Sequence, residues 1–374
     1  MKRLFVKPNI LLVLLDGART DRLNKSEHFE SLKKLGFLFD NVTAAYPYTF
    51  GAMNSIFTGL FGKENGVDAY YKMFKLKDDV DFLPELLQKN GYYTCCNLIS
   101  EKVISKRGFD LYESHNEYED DLTKIHPKLI KRAFSEAKGR PIFTFLQFSK
   151  IHTVTVSEIL KKYEWDDKSY YQNKSKNLEN YDKAFFDSSK YAEKIYKTIQ
   201  SLDKLDETII IFFCDHGTGV GERFGERNYG VFTYDETIRT FYLITGPSIQ
   251  KNSISSKLLS SVQIFPTILD FAQIPHKIRT KSLANFAKGN DDEIEQEYVF
   301  SETGGLQGPF PSPKSPNVFC IKKQHFKLIY FSTPGDWALF DLKSDPNEGN
   351  NLYGTNLDIE TELKNKLLEW INRS

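Results

Sequence analysis

One stretch near the start of the chain, Asn9-Ile-Leu-Leu-Val-Leu-Leu-Asp16-Gly17, indicates the architecture of the protein. A short and uninterrupted apolar run of this kind is typical of a strand that is buried on both faces of a parallel sheet. Similar runs follow at 141–146, 208–214 and 241–245, and stretches with helical spacing separate them at 82–90, 177–202 and 261–271. This alternation predicts an α/β fold with a mostly parallel central sheet flanked by helices.

The character of the sequence changes near residue 301, where glycine and proline crowd into a loop. Short strand-like runs follow at 318–322, 326–331 and 337–342, and a final helical pattern covers 359–371. We therefore expect an α/β domain at residues 1–300 and a small β-rich subdomain at 301–374, made of short antiparallel strands and a terminal helix.

The charge balance argues against nucleic acid as a partner. Lys and Arg together number 50, and so do Asp and Glu, so the net charge is zero and nucleic acid is not an expected partner. Apolar runs stay far below the ~20 residues that span a bilayer, and the first residues lack the features of a signal peptide. We expect a cytoplasmic protein without a transmembrane segment, and the sequence leaves the oligomeric state open.

Two acidic segments follow predicted strands directly. Asp16 comes after the first strand, and Asp215-His216-Gly217 comes after the run at 208–214. Because ligands of open α/β sheets bind outside the carboxyl ends of the strands, we expect these side chains to converge. Aspartate and histidine are suitable ligands for a divalent cation, although each residue taken alone could equally cap a turn or a helix.

A third segment, Tyr46-Pro-Tyr-Thr49-Phe-Gly51, is predicted to begin a short helix with Thr49 at its N-cap. A hydroxyl at that position lies beside exposed N–H groups that favour an anion. A threonine hydroxyl bound to a metal ion can become an alkoxide and attack phosphorus. An ordinary helix cap is the simpler interpretation of Thr49 considered alone.

These three segments, in this order, resemble the sulfatase and alkaline phosphatase superfamily. The nucleophile of that family lies ten residues before a Thr-Gly pair, and counting back from Gly59 leads to Thr49. Several further segments are similar to family signatures: Gly91-Tyr-Tyr-Thr94, Arg107-Gly-Phe-Asp110, Ser149-Lys150-Ile-His152, Glu236-Thr-Ile-Arg239 and the stretch from Leu339 to Leu352. The resemblance covers nearly the whole chain.

The departures from the sulfatase pattern concern the reacting groups. Sulfatases convert a Cys or Ser to formylglycine, which Thr49 cannot form because its β-carbon carries a methyl group, so no formylglycine is expected. The family places Pro and Arg where this chain has Gly51 and Met53, and a second Asp where it has Gly17. The Lys and His of another family segment are replaced by Ile99 and Glu101. An Asp-Gly pair with a Thr nucleophile is instead similar to the phosphodiesterase and phosphotransferase branches.

The resemblance implies a role for each matching residue. One divalent metal ion would be held by Asp16, Thr49, Asp215 and His216, with Zn²⁺ or Mn²⁺ favoured over Ca²⁺. His152 would bind a substrate oxygen, protonate the leaving group or ligate a second metal ion. The remaining candidates for substrate binding are Lys150, Arg223, Arg227 and Asn228, although the segment 221–228 could equally be a solvated charged loop.

The sequence therefore predicts a metal-dependent hydrolase or transferase that acts on a phosphate ester, a phosphodiester or a phospho-headgroup, through metal-bound Thr49. The expected substrate is an anionic small molecule, glycan or lipid headgroup. Two alternatives stay open: a sulfuric ester hydrolase without formylglycine, and a catalytically degenerate protein that binds an anion or a glycan.

Overall fold

The computed structural model describes residues 7–155, 163–290 and 293–373, and a large mixed sheet forms its centre. Its strands follow the order β4-β3-β5-β1-β6-β7-β2-β8, with β9 also paired to β2. Pairing is parallel except where β7 joins β6 and β2. The bounds of these strands are β1 Asn9–Leu15, β2 Gly36–Thr43, β3 Tyr93–Leu98, β4 Leu111–Ser114, β5 Ile142–Phe148, β6 Thr208–Phe213, β7 Arg239–Thr245, β8 Ser253–Ser255 and β9 Leu259–Ser260.

Helices cover both faces of this sheet, because alternate residues of β1 enter different apolar cores. Ile10, Leu12 and Leu14 belong to one core, and the intervening leucines and valine belong to the other. The described helices are α1 Glu27–Lys33, α2 Thr49–Thr58, α3 Gly62–Asn65, α4 Leu83–Lys89, α5 Leu122–Glu136, α6 Lys150–Thr155, α7 Lys168–Gln172, α8 Lys174–Ser201, α9 Asp235–Ile238, α10 Ile264–Phe271, α11 Ala284–Ala287 and α12 Asp358–Ile371. Helices α2, α4 and α10 pack on the first face, and α1, α5 and α8 pack on the second. Within the described ranges, none of these helices has both the length and the apolar character that crossing a membrane requires.

A separate antiparallel sheet follows, in the order β10-β11-β12-β13. Its strands are β10 Val299–Thr303, β11 Val318–Lys323, β12 Phe326–Phe331 and β13 Asp336–Asp341. One face of it packs against Ala44 and Ile238 of the larger body, and the other face is covered by α12. The predicted α/β class with a small C-terminal β-rich part is therefore confirmed. Strand β10 lies across the predicted boundary between residues 300 and 301. The division of the chain into two domains stays a prediction.

Strand β2 and the start of α2 are two of the places where the structure differs from the sequence interpretation. The sequence pattern does not predict strand β2, because its apolar run Gly36–Phe39 is interrupted by Asp40 and Asn41, where its pairing with β7 becomes irregular. Thr49 is the first residue of α2 and Tyr48 is the N-cap, so the expected N-cap position of Thr49 is wrong by one residue.

A buried ion cluster joins the small sheet to the larger body. The ammonium of Lys327, on β12, lies 2.9 Å from Asp235 Oδ1 and 2.8 Å from Glu348 Oε1, and its side chain is fully buried. Lys322 lies 3.2 Å from the same Asp235 oxygen. Glu348 Oε2 also accepts a hydrogen bond from the backbone N–H of Asp235, which begins α9. The C-terminal segment is thus fixed to the start of α9, which precedes β7.

Replacing Lys327 by Met should destabilise the protein by about 3–5 kcal/mol, because two buried carboxylates would lose a shared cation. Urea unfolding at neutral pH measures this cost. Lys366→Met is the matched control, since Lys366 pairs with Glu369 on the exposed surface of α12 and should contribute less than about 1 kcal/mol. Equal effects of the two substitutions would contradict a stabilising role of the buried cluster.

Candidate metal centre and nucleophile

The candidate site lies at the carboxyl edge of β5, β1 and β6, which are neighbours in the sheet. Leu15 is paired with Phe148, and Leu14 is paired with Phe213, so the three strands end at the same level. Asp16 follows β1 directly, and the segment Asp215-His216 follows β6. The convergence predicted from the apolar runs is what brings these side chains together, and all three are fully buried.

Helix α2 brings the hydroxyl of Thr49 to this edge. The helix starts at Thr49, and Gly51 lies close behind it against two aromatic rings. A β-carbon at Gly51 would lie 2.5 Å from Tyr48 Cε2 and 2.7 Å from Tyr46 Cγ. A side chain there would collide with both rings, so the tight packing at the start of α2 depends on glycine at this position.

Thr49 and His216 are in direct contact. Thr49 Oγ1 lies 3.1 Å from His216 Nε2 and 3.5 Å from each carboxylate oxygen of Asp16. His216 Nδ1 lies 2.8 Å from the carbonyl oxygen of Gly217, which can only accept a hydrogen bond. The proton of a neutral His216 therefore sits on Nδ1, and the lone pair of Nε2 faces Thr49.

His152, on α6, completes the cluster from the other side. Its Nε2 lies 2.9 Å from Asp16 Oδ1. One ligand atom each of Asp16, His152 and His216 lies within 4.8 Å of the other two, which is close enough for all three to contact one cation. The side chain of His152 is 14% exposed, whereas those of Asp16 and His216 are inaccessible, so His152 marks the solvent side of the centre.

The two carboxylates differ strongly in their proton affinity. Burial alone would raise the pKa of Asp16, but the adjacent His152 and His216 and the hydrogen bond from Gln147 lower that pKa to about 2. For Asp215, burial and the negative charge of Asp16 raise the pKa well above its usual value. Asp16 is therefore the ionised acceptor of this centre, and Asp215 takes up a proton readily when no cation compensates it.

The donor set fits a divalent cation. Asp215 Oδ2 is buried, has no hydrogen-bond partner among the described residues, and lies 3.6 Å from His216 Nε2. An unpaired buried carboxylate oxygen beside a second carboxylate and an imidazole lone pair is the arrangement that a metal ion satisfies. A second carboxylate at position 17 would not fit, because Gly17 has a φ of +77° and a β-carbon there would lie 2.8 Å from Thr218 Oγ1.

The four side chains predicted to bind substrate have other partners in this structure. Lys150 donates to the carbonyl of Glu117, Arg223 pairs with Glu236, and Arg227 lies over the ring of Tyr170 and near Asp167. Asn228 Oδ1 accepts a hydrogen bond from the Tyr170 hydroxyl. These contacts do not bring the four groups to the Asp16 cluster, and their role in substrate binding stays a prediction.

The sequence interpretation missed two residues that contact the cluster. Gln147, near the end of β5, donates from Nε2 to Asp16 Oδ2 at 2.7 Å. The ring of Tyr229 lies on both imidazoles, with centroids 5.2 Å from His152 and 4.5 Å from His216. A glutamine within a largely apolar strand could have indicated Gln147, whereas no local pattern identifies Tyr229.

The loop that carries Tyr229 is anchored by a buried carboxyl group. Glu226 Oε1 accepts hydrogen bonds from the backbone N–H groups of Val231 and Phe232, both at 2.8 Å. Burial raises the pKa of Glu226 to about 8 despite these two bonds, and Glu236 and Glu222 add to the effect. The folded protein therefore holds a proton on Glu226 at pH values where the unfolded chain does not.

Two family models match the chain. The model described as Sulfatase matches residues 8–274, and the model described as N-sulphoglucosamine sulphohydrolase, C-terminal, matches residues 225–373. The first match includes Asp16, Thr49, His152, Asp215 and His216.

Curated relatives and solved structures carry related names. An N-acetylglucosamine-6-O-sulfatase of Bacteroides thetaiotaomicron is 31% identical over 43% of this chain and 29% of its own length. Arylsulfatase K of Bos taurus is 28% identical over 48% of this chain and 34% of its own length. A solved structure in complex with its substrate D-glucosamine-2-N,6-O-disulfate has a TM-score of 0.74, with 19% identity over 97% of each chain. The aligned stretch thus spans about a third of the curated relatives.

These matches correct the expected substrate. The Asp-Gly pair and the threonine nucleophile favoured a phosphate ester, but the curated relatives are named as sulfatases and the matching family model is that of sulfatases. The prediction of a hydrolase or transferase of phosphate esters is therefore wrong. A threonine at position 49 does not distinguish phosphate from sulfate esters. Phosphoryl and sulfuryl groups are both transferred between oxygen atoms at a tetrahedral centre.

Stability should fall as pH rises from about 5 to 8, because Glu226 stays protonated in the folded state while the unfolded chain loses this proton at its usual pKa. Glu226→Gln keeps an oxygen for the two backbone N–H groups and cannot ionise. It should stabilise the protein relative to wild type by up to about 4 kcal/mol at pH 8, and by little at pH 5. Urea unfolding across this range measures the difference, and a difference independent of pH would contradict the assignment.

Proposed function

The chain belongs to the sulfatase family, and on this basis we propose that it hydrolyses sulfate esters with the hydroxyl of Thr49 as the nucleophile. One observation carries the proposal: Thr49 Oγ1 lies 3.1 Å from His216 Nε2, inside a buried cluster that also contains Asp16 and Asp215. A buried hydroxyl facing the carboxylate of Asp16 and an imidazole lone pair suits chemistry better than it suits packing, since such a group is costly to bury.

A divalent cation is the cofactor of the proposed reaction. Asp16, Asp215 and His216 would hold it, with Thr49 Oγ1 beside it, and the mixture of carboxylate oxygens with an imidazole nitrogen favours Zn²⁺ or Mn²⁺ over Ca²⁺. The bound ion would supply positive charge that lowers the pKa of the Thr49 hydroxyl and compensates the charge on the transferred group.

Thr49 takes the place that formylglycine has in other sulfatases. Its oxygen, having lost its proton to water, bonds to sulfur while the bond between sulfur and the alcohol oxygen of the substrate breaks. Water then attacks the same sulfur, the bond between sulfur and Thr49 breaks, and sulfate leaves. The chemistry needs no modified residue, which agrees with the methyl group that prevents threonine from becoming formylglycine.

His152 is the proposed proton donor to the leaving alcohol. Asp16 Oδ1 lies 2.9 Å from His152 Nε2, and the negative charge of Asp16 favours a proton on that nitrogen. The side chain of His152 is also more exposed than those of Asp16 and His216, which are inaccessible. A positioned imidazole at this place can give its proton to the departing oxygen and regain one from the attacking water.

The proposed substrate is the sulfate ester of a sugar. The curated relative with 31% identity is named for an N-acetylglucosamine 6-O-sulfate, and the solved structure with a TM-score of 0.74 holds a sulfated glucosamine. Both names describe those proteins, and the transfer to this chain is part of the proposal. Glucosamine 6-sulfate and N-acetylglucosamine 6-sulfate are therefore the first natural substrates to assay.

Thr49→Val should abolish hydrolysis of p-nitrophenyl sulfate and of the sugar sulfates, by about 1000-fold or more in kcat, because valine has the shape of threonine without the nucleophile. Thr49→Ser should retain turnover, since the oxygen remains. Assays of Zn²⁺- or Mn²⁺-loaded protein measure both. Unchanged turnover in Thr49→Val would contradict the nucleophile, and tight binding of sulfate esters without turnover in the wild type would instead favour the anion-binding alternative.

His152→Ala should lower kcat for sugar sulfates by about 100-fold or more, and lower it much less for p-nitrophenyl sulfate, whose leaving group needs little protonation. The control is His325→Ala, a histidine of the small sheet that lies near Asp341 and should leave both rates unchanged. Equal losses for both kinds of substrate after removal of His152 would contradict its role as the proton donor.

A further inference from the structure

We propose that Gln147 is a positioning residue that aims the carboxylate of Asp16 at the cation and so sets the metal affinity of the centre, an inference that rests on the proposed metal-dependent function. Gln147 is fully buried near the end of β5. Strand β5 lies between β3 and β1 in the sheet. The side chain of Gln147 can therefore reach residues at the ends of both neighbouring strands.

The orientation of the Gln147 amide is fixed by its two partners. The backbone N–H of Ile99, just after β3, donates to Gln147 Oε1 at 3.1 Å. A backbone N–H can only donate, so the oxygen of the amide must face Ile99 and the NH₂ group must face Asp16. Nε2 then donates to Asp16 Oδ2 at 2.7 Å, which is the length of a strong bond to a charged acceptor.

The consequence for Asp16 is a carboxylate held at both oxygens. Gln147 binds Oδ2, and His152 Nε2 lies 2.9 Å from Oδ1. Thr49 Oγ1 is 3.5 Å from each of these oxygens, so the open edge of the carboxylate faces the nucleophile symmetrically. Without the amide, Oδ2 would keep only its longer contact with Thr49 among its described contacts, and the carboxylate would be less firmly held against rotation about its Cβ–Cγ bond.

The neutrality of the amide matters as much as its geometry. A lysine or arginine in this place would also hold Asp16, but it would cancel the charge that attracts the cation. Gln147 fixes the carboxylate and leaves its charge available, in a centre where Gly17 supplies no second carboxylate. Groups that orient a metal ligand in this way typically change metal affinity by about 10–100-fold when they are removed.

The test compares two buried glutamines. Gln147→Met removes both hydrogen bonds at nearly constant volume, and titration of metal-free protein with Zn²⁺ in a calorimeter measures affinity. We expect binding about 10–100-fold weaker than wild type. The control is Gln263→Met: Gln263 is also buried, and its amide donates to the carbonyls of Lys281 and Ile294, away from the centre. Its loss should lower the melting temperature but leave Zn²⁺ affinity within about threefold of wild type.

A second variant covers the case in which Gln147→Met does not fold. Gln147→Asn keeps an amide but is one methylene too short to span Ile99 and Asp16, so it should also weaken Zn²⁺ binding. Wild-type affinity in either folded Gln147 variant, or an equal loss in Gln263→Met, would overturn the positioning role while leaving the proposed function intact. A wild-type protein that binds no Zn²⁺ or Mn²⁺ would overturn both.

Discussion

The buried negative charge of Asp16 is the constraint on which the site depends. Asp16 is fully buried and its pKa is low, so its carboxylate stays ionised. Such a group needs hydrogen-bond donors or positive charges around it, because burying an unpaired charge costs a large free energy. The sheet supplies them from its neighbouring strands: Gln147 from β5, His152 from the helix that follows β5, and His216 from beyond β6. Helix α2 then places Thr49 against the open edge of the carboxylate.

The surroundings of the centre are tied to the small C-terminal sheet. Tyr229 covers both imidazoles, and the loop that carries it is held by Glu226. Further along the chain, Asp235 pairs with Lys327 and its backbone N–H binds Glu348. The stretch that resembles a family signature, from Leu339 to Leu352, therefore has a structural role, because Glu348 joins the terminal segment to the chain between His216 and β7.

Much of this could be predicted from the sequence, because it depends on local patterns. Solid apolar runs identified β1 and β6, and the acidic residues directly after them identified Asp16 and Asp215. The resemblance to the family, through the spacing to its Thr-Gly pair, pointed to Thr49. Gln147 and Tyr229 could not be found in this way, since their partners lie far away in sequence and only the strand order brings them together. The contacts of Arg223 with Glu236 and of Arg227 with Tyr170 also join residues that are distant in sequence and follow no local pattern.

The choice between phosphate and sulfate could not be made from the same residues. An aspartate, a threonine hydroxyl and an Asp-His pair around a cation suit the transfer of either group, and the departures at Gly17 and Thr49 favoured the wrong one. The family models that match residues 8–274 and 225–373 indicate sulfate esters, which the candidate reacting residues alone did not. This chain therefore combines a sulfatase fold with a threonine, Thr49, at the candidate site.

The most direct test of this account is mass spectrometry of the metal-loaded protein, acid-quenched during turnover of an aryl sulfate and digested to peptides. The account predicts a transient gain of one SO₃ on the peptide that contains Thr49, localised to that residue and absent from Thr49→Val. Turnover without any sulfated Thr49, or with the sulfuryl group on another residue, would contradict it.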